Sequence, residues 1–310
     1  MIIDTHCHLH KYPEHWSPYM AEIYMKVARK SPCWLHPGEN WKPEYLNTDP
    51  ALLVQHMDEG HVEKAFLLAQ FWKPYDCITP NEYIYEVVGH YPERFVPFAA
   101  PDPVGGTKSV RELDRLVREL GFGGLKLSPV YNHVRIDDPR IYPLYSKAEE
   151  LEIPVLVHTG WTIPPEARIE WQNPLHLEEV ALAFPDLKLI VAHTGFQWAF
   201  EALMMIKKYP NMYGDFAYFA DLPKDFIART LVFAKKAGVM DRLLWGTDYP
   251  WFSHKDSLEF YRSMPAYVAK LGLEPLVTAE DINLLTGLNA ARMIGWAAEA
   301  PAAEVVGTKG

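Results

Sequence analysis

Cysteine is scarce in this 310-residue chain: Cys7, Cys33 and Cys77 are the only three, and no two stand in a CxxC spacing. That excludes a disulfide framework and a thiolate zinc knuckle, and it fits a chain kept reduced. Long apolar runs are missing too; none approaches the ~20 residues that cross a bilayer. The opening Met-Ile-Ile-Asp-Thr-His has neither the basic region nor the apolar segment of a secretion signal, so a cytoplasmic setting is expected. Positive charge is in deficit, with 30 Lys and Arg against 40 Asp and Glu, a formal net charge of −10. A nucleic-acid partner needs a cationic face for phosphates, so that class is excluded along with a membrane. Internal repeats and low-complexity tracts are also absent from the body of the chain. A small-molecule substrate remains as the expected partner.

What the chain does have is an ordinary globular composition, 49% hydrophobic and 23% charged, together with 10 Trp and 17 Tyr. Short apolar runs alternate with amphipathic stretches of helical length from end to end. Strands are expected at 1–6, 65–69, 95–99, 124–127, 154–158, 188–193, 212–216 and 242–246. Most are rich in Val, Ile, Leu and Phe without strict alternation, as parallel strands covered on both faces are. Helices fit 51–60, 81–90, 109–120, 139–151, 174–184, 198–208, 223–237, 256–270 and 279–296. In 109–120, Val110, Leu113, Leu116, Val117 and Leu120 recur at spacings of three and four, and Gly121 follows as a stop. Eight β/α units predict an α/β fold, a single (β/α)8 TIM barrel over 1–296; an open doubly wound sheet is the rival. A long connection, 9–49, follows the first strand and carries Tyr12, Trp16, Tyr19, Tyr24, Trp34, Trp41 and Tyr45. So many aromatics would form an exposed apolar patch unless covered, so this insertion is expected to cap the barrel mouth, to meet a second subunit in a homodimer, or both. Residues 297–310 read as a flexible tail.

The chemistry concentrates at strand ends. The first strand runs into Asp4-Thr5-His6-Cys7-His8, where His6 and His8, two residues apart, leave the same face of an extended chain. An isolated HxH is equally well two polar residues at a strand end. His158 closes Pro-Val-Leu-Val and His193 closes Leu-Ile-Val-Ala, each followed by Thr-Gly, and Asp248 follows Leu-Leu-Trp-Gly-Thr. Any one of these would be read as a satisfied structural residue. Five at the carboxyl ends of barrel strands, where such folds place their sites, are hard to explain that way.

The set Asp-Thr-His-Cys-His, His-Thr-Gly twice and Gly-Thr-Asp-Tyr-Pro resembles the amidohydrolase superfamily. It is most similar to the amidohydrolase-related branch that includes aminocarboxymuconate-semialdehyde decarboxylase. Pro-Glu-Arg-Phe-Val-Pro-Phe-Ala, Gly-Leu-Lys-Leu and Thr-Gly-Leu-Asn-Ala-Ala-Arg agree, and the likeness runs from about Met1 to Trp296. The resemblance implies His6, His8, His158 and Asp248 as ligands of one divalent metal ion, with His193 just beyond it on the substrate side. Zn²⁺ is the first choice, with Mn²⁺ or Fe²⁺ equally suited to such donors. Asp248 would then move a proton and His193 would stabilise charge developing on the substrate.

Lys126 on the fourth strand has three readings: a carbamate bridging a second ion, a structural ion pair, or an ammonium that binds a substrate carboxylate. The last two are preferred. Trp161, directly after the first Thr-Gly, is expected to wall the pocket or to pack. Tyr131, Phe196 and Trp251 lie on comparable loops. Arg135 is expected to pair with Asp137 or Asp138 on the surface, and His10, His15 and His36 to be exposed. Asp4 is expected to orient the strand-end histidines or nearby backbone. On this footing the expected activity is hydrolysis of a C–N or C–O bond in an amide, lactone or cyclic ester, with non-oxidative decarboxylation of an aromatic or unsaturated acid as the alternative. His193-Thr-Gly-Phe, in place of the His-x-Gly-Glu of several decarboxylases in this branch, tilts the choice toward hydrolysis.

Overall fold

The computed structural model describes residues 1–28 and 42–296. Eight parallel strands follow one another around a barrel: β1 Ile3–His8, β2 Lys64–Leu68, β3 Phe95–Ala99, β4 Gly124–Leu127, β5 Val155–Val157, β6 Leu189–Val191, β7 Met212–Asp215 and β8 Leu243–Leu244. The last meets the first: the Thr5 N–H donates to the Trp245 carbonyl at 2.9 Å and the His8 N–H to the Tyr249 carbonyl at 2.9 Å. This is the expected (β/α)8 TIM barrel, and the open sheet is excluded. β1 begins two residues later than expected and extends to His8, which places both histidines of the HxH on the strand itself.

Helices α1 Pro18–Ala28, α2 Pro50–Glu59, α3 Asn81–His90, α4 Thr107–Arg118, α5 Tyr142–Glu150, α6 Leu177–Ala183, α7 Ala199–Lys208, α8 Lys224–Ala237, α9 His254–Arg262 and α10 Met264–Lys270 account for most of the rest. In α4, Leu113 and Leu116 are fully buried and Val110, Val117 and Leu120 pack against the same core. Gly121 takes a left-handed φ of 73°, and the Phe122 N–H reaches back to the Leu116 carbonyl, closing that helix end. Three departures from the sequence reading stand out. The 256–270 stretch is two helices, because Pro265 in the first turn of α10 has no N–H and its ring clashes with a preceding carbonyl. The first connection holds α1, and a two-stranded antiparallel hairpin, Gln70–Trp72 with Cys77–Thr79, rises above β2 where no element was expected.

Three clusters make the interior. One lies between strands and helices. A second fills the barrel, with Ile3, Phe66, Leu68, Phe98, Leu156, Ile190 and Leu244, and is covered by the helix Asn289–Met293. The third sits on the loops that follow the strands and joins Trp16, Met20, Tyr24 and Leu46 of the first connection to Trp72, Tyr131, Phe196, Tyr218 and Trp251. The expected cap therefore falls partly on described residues, whereas Cys33, Trp34, His36, Trp41 and the tail 297–310 lie outside them.

Candidate active site

One cavity opens at the carboxyl ends of the strands, and all seven site residues chosen from the sequence line it: His6, His8, Lys126, His158, Trp161, His193 and Asp248. Strand alternation explains half of the set. His6 and His8 point inward from β1 while Thr5 and Cys7 point away, and Lys126 enters from β4. His158, His193 and Asp248 each occupy the turn just after β5, β6 or β8.

His6 Nε2 lies 3.3 Å and His8 Nε2 3.6 Å from Asp248 Oδ1. Donors bound at about 2.0–2.1 Å around one tetrahedral ion stand roughly 3.3 Å apart, so this trio fits a divalent metal. His158 shares the cavity, its ring centroid 5.0 Å from that of His193, but its Nε2 faces the Trp161 carbonyl at 3.0 Å. Among the described residues, the donor groups that converge within 4.8 Å are His6/His8/Asp248, His6/His193/Asp215 and Asp4/Cys7/His254, so His158 stands apart from the first trio.

The hydrogen bonds choose tautomers. His6 Nδ1–H donates to Asp215 Oδ2 at 2.9 Å, leaving the Nε2 lone pair for the cavity. His193 Nδ1–H donates to the Ala217 carbonyl at 3.1 Å, so its Nε2 likewise presents a lone pair. Burial pulls His193 down to about 4 and holds His6, His8 and His158 well below the usual histidine range, so all four are neutral. A neutral His193 with its proton on Nδ1 accepts hydrogen bonds into the cavity, so the expected stabilisation of negative charge on the substrate does not fit this tautomer. Burial also pulls the Lys126 ammonium down, opposed by the Asp215 and Asp248 carboxylates, and pushes the Asp248 carboxyl up, opposed by Lys126. Lys126 is 4% exposed, and its Nζ lies 3.3 Å from His6 Nε2.

Asp215 is the residue the sequence reading passed over. Fully buried at the end of β7, it takes His6 Nδ1–H on Oδ2 and the N–H groups of His193 and Ala217 on Oδ1, at 2.7 and 3.1 Å. His193, Thr194, Gly195 and Phe196 all have φ between 39° and 72°, a strained run for three non-glycine residues, and Asp215 pins it from below. The only signal in the sequence was an acid after Met-Tyr-Gly in a strand otherwise read as core. Asp4, as expected, holds backbone: the His6 N–H at 2.9 Å and the Thr247 N–H at 3.1 Å. Arg135 pairs with Asp137 through two bonds at 2.5 and 2.7 Å, again as expected.

His10 and His15 correct the reading of exposed loop histidines: they are 4% and 6% exposed. The first connection folds down over the barrel and carries both inside, and His10 joins the cavity wall with Trp16 and Tyr24. Burial draws His10 down to about 3. Trp72 stacks on Tyr131 with centroids 3.8 Å apart and planes 4° from parallel, and both rings face the cavity.

The amidohydrolase family model matches residues 3–296. The chain belongs to the amidohydrolase family. This amidohydrolase is 25% identical over 177 residues to the 2-amino-3-carboxymuconate-6-semialdehyde decarboxylase of Dictyostelium discoideum, a match spanning 49% of each chain. It is 30% identical to the 2-keto-4-carboxy-3-hexenedioate hydratase of Sphingobium sp. (strain NBRC 103272 / SYK-6), over 68% of this chain and 72% of that one. Four further curated relatives are named decarboxylases. Among solved structures, the 5-carboxyvanillate decarboxylase of Novosphingobium aromaticivorans DSM 12444, complexed with manganese and a nitrobenzoic acid, superposes with a TM-score of 0.66 at 16% identity. That superposition covers 95% of this chain and 96% of the other. By name, five of the curated relatives are decarboxylases and one is a hydratase.

Proposed function

We propose that this amidohydrolase is a divalent-metal-dependent, non-oxidative decarboxylase of a small aromatic or conjugated acid. The observation that carries it is Lys126: a lysine 4% exposed in the cavity, under aromatic walls, whose neighbouring carboxylates are engaged elsewhere, Asp215 by His6, His193 and Ala217 and Asp248 by the proposed ion, so a substrate carboxylate suits it. The flat Trp72–Tyr131 stack, with Trp16, Tyr24 and Phe196, suits a planar conjugated body.

His6, His8 and Asp248 would hold the ion, and His158, which shares the cavity, would join them by reorienting its ring. When bound, the metal supplies a Lewis acid that polarises substrate oxygens. Manganese in the 5-carboxyvanillate decarboxylase structure makes Mn²⁺ the first ion to test, ahead of the Zn²⁺ suggested by the sequence. Lys126 neutralises the substrate anion and anchors it. Asp248, through the oxygen turned away from the ion, would relay a proton to the carbon bearing the carboxyl group. The bond from that carbon to the carboxyl carbon then breaks, its electron pair returns to the conjugated system, and CO2 departs. Asp248 is left anionic and recovers a proton from solvent. The aromatic walls keep water from the reacting carbon.

Addition of water is the second reading. The hydratase relative favours it, as does the Nε2 lone pair of His193, placed to take a proton from water. The deciding experiment incubates metal-loaded protein with hydroxybenzoic acids, unsaturated dicarboxylic acids, lactones and amides. Release of CO2 with loss of one carboxyl by mass spectrometry is the expected result. Hydration or hydrolysis with no CO2 from any acid would overturn it.

A further inference from the structure

The cavity has a polar end that the reaction above leaves unused. His6, His8 and His10 form a row, with ring centroids 5.2 Å apart and then 5.8 Å, the second pair stacked within 10°. Lys126 lies against the His6 end, and His10 marks the other. There His10 Nδ1 is bonded to the Thr79 hydroxyl at 2.8 Å, and Gln70 Nε2 donates to Cys77 Sγ at 3.2 Å. Gln70 and Thr79 are cross-strand partners in the hairpin, so Thr79 ties His10 to Gln70. Both side chains are buried, at 4% and 3% exposure, and both line the cavity. Among the described residues His10 Nε2 and Gln70 Oε1 have no hydrogen-bond partner, and neither is among the fully enclosed unpaired atoms, so both have room in the cavity.

We infer that His10 and Gln70 form an uncharged hydrogen-bonding subsite for a hydroxyl group on the substrate, set away from the carboxylate held by Lys126. This rests on the reading of Lys126 as the carboxylate partner, and it makes the substrate class a hydroxylated aromatic acid. A hydroxyl suits the pair because its O–H donates to Gln70 Oε1, while its oxygen accepts from His10 Nε2–H when the Thr79 hydroxyl donates to Nδ1. A second carboxylate, an acceptor only, meets the Gln70 oxygen without a proton between them. A bare ring edge leaves both groups dry and unpaired, and sites built to bond a hydroxyl reject analogues that lack it.

Binding of benzoate, 3-hydroxybenzoate, 4-hydroxybenzoate and terephthalate to the metal-loaded protein, followed by tryptophan fluorescence or calorimetry, tests this without turnover. One of the two hydroxybenzoates is expected to bind at least about 10-fold tighter than benzoate, and terephthalate more weakly than 4-hydroxybenzoate. Gln70→Met and His10→Phe, each checked for native circular dichroism, should bring the hydroxybenzoate advantage to within about threefold. Equal affinities for benzoate and both hydroxybenzoates in the wild type overturn the subsite, and need no variant to fold. So does tighter binding of terephthalate, or an advantage that survives in a folded variant. If hydroxybenzoates bind as expected but no acid releases CO2, the decarboxylase reading falls and the subsite stands.

Discussion

Asp248 and His193 face the same cavity with opposite equipment. Asp248 Oδ1 is within 3.6 Å of two imidazole nitrogens, whereas His193 is braced from behind by the Ala217 carbonyl and by Asp215. Asp248→Asn is therefore expected to abolish turnover and to weaken metal binding, and His193→Asn to leave the metal largely in place. Elemental analysis of both variants decides it, and equal metal loss would make His193 a ligand. Gly246 gives a steric test of the same site. A Cβ there would sit 2.7 Å from His6 Cβ and 3.0 Å from Ala217 Cβ, atoms that no rotamer change can move. Gly246→Ala should cost about 1–3 kcal/mol and displace His6 from the ion. Thermal unfolding and a metal titration read the two effects, and unchanged metal affinity would show that His6 does not depend on this contact.

The seam between β8 and β1 is where structure and chemistry share an element. Asp4 accepts from the His6 N–H on one strand and from the Thr247 N–H and hydroxyl beyond the other, and His254 Nε2 at the start of α9 meets Asp4 Oδ2 at 3.1 Å. One buried carboxylate thus fixes the backbone beside His6 and the turn leading into Asp248. His254→Phe removes the imidazole nitrogen beside that carboxylate in a fully buried contact, at a cost of about 1–3 kcal/mol. Reduced metal affinity should accompany the lower melting temperature, because the strand ends that present the ligands loosen together. A lower melting temperature with metal affinity intact would confine His254 to stability. The strands and most helices could be read from periodicity, since apolar runs and spacings of three and four are local properties. The hairpin above β2 could not. Its strands are three residues each, too short for a period to register, and they hold through pairing and the Trp72–Tyr131 stack.

For the whole molecule, metal and fold are expected to be coupled, because the proposed ligands come from β1 and from the turns after β5 and β8. A ligand at about 1,000 times its Kd stabilises by roughly 4 kcal/mol, so chelation should lower the melting temperature by several degrees and one equivalent of metal per chain should restore it. Two equivalents, with 44 Da added to Lys126, would instead favour the bridging carbamate. Length, alternating β/α pattern and the strand-end histidines with Asp248 determined the barrel, the end that carries the site and the family. Each is written in stretches of a few residues, where hydrophobic period and strand parity act. The tertiary structure alone decided that Asp215 orients His6 and His193, that His10 and His15 are buried, and that His193 offers a lone pair. Those outcomes depend on which groups meet across turns of the barrel. Asp215 is 209 positions from His6, and His10 is 69 from Thr79, and no local pattern spans such distances.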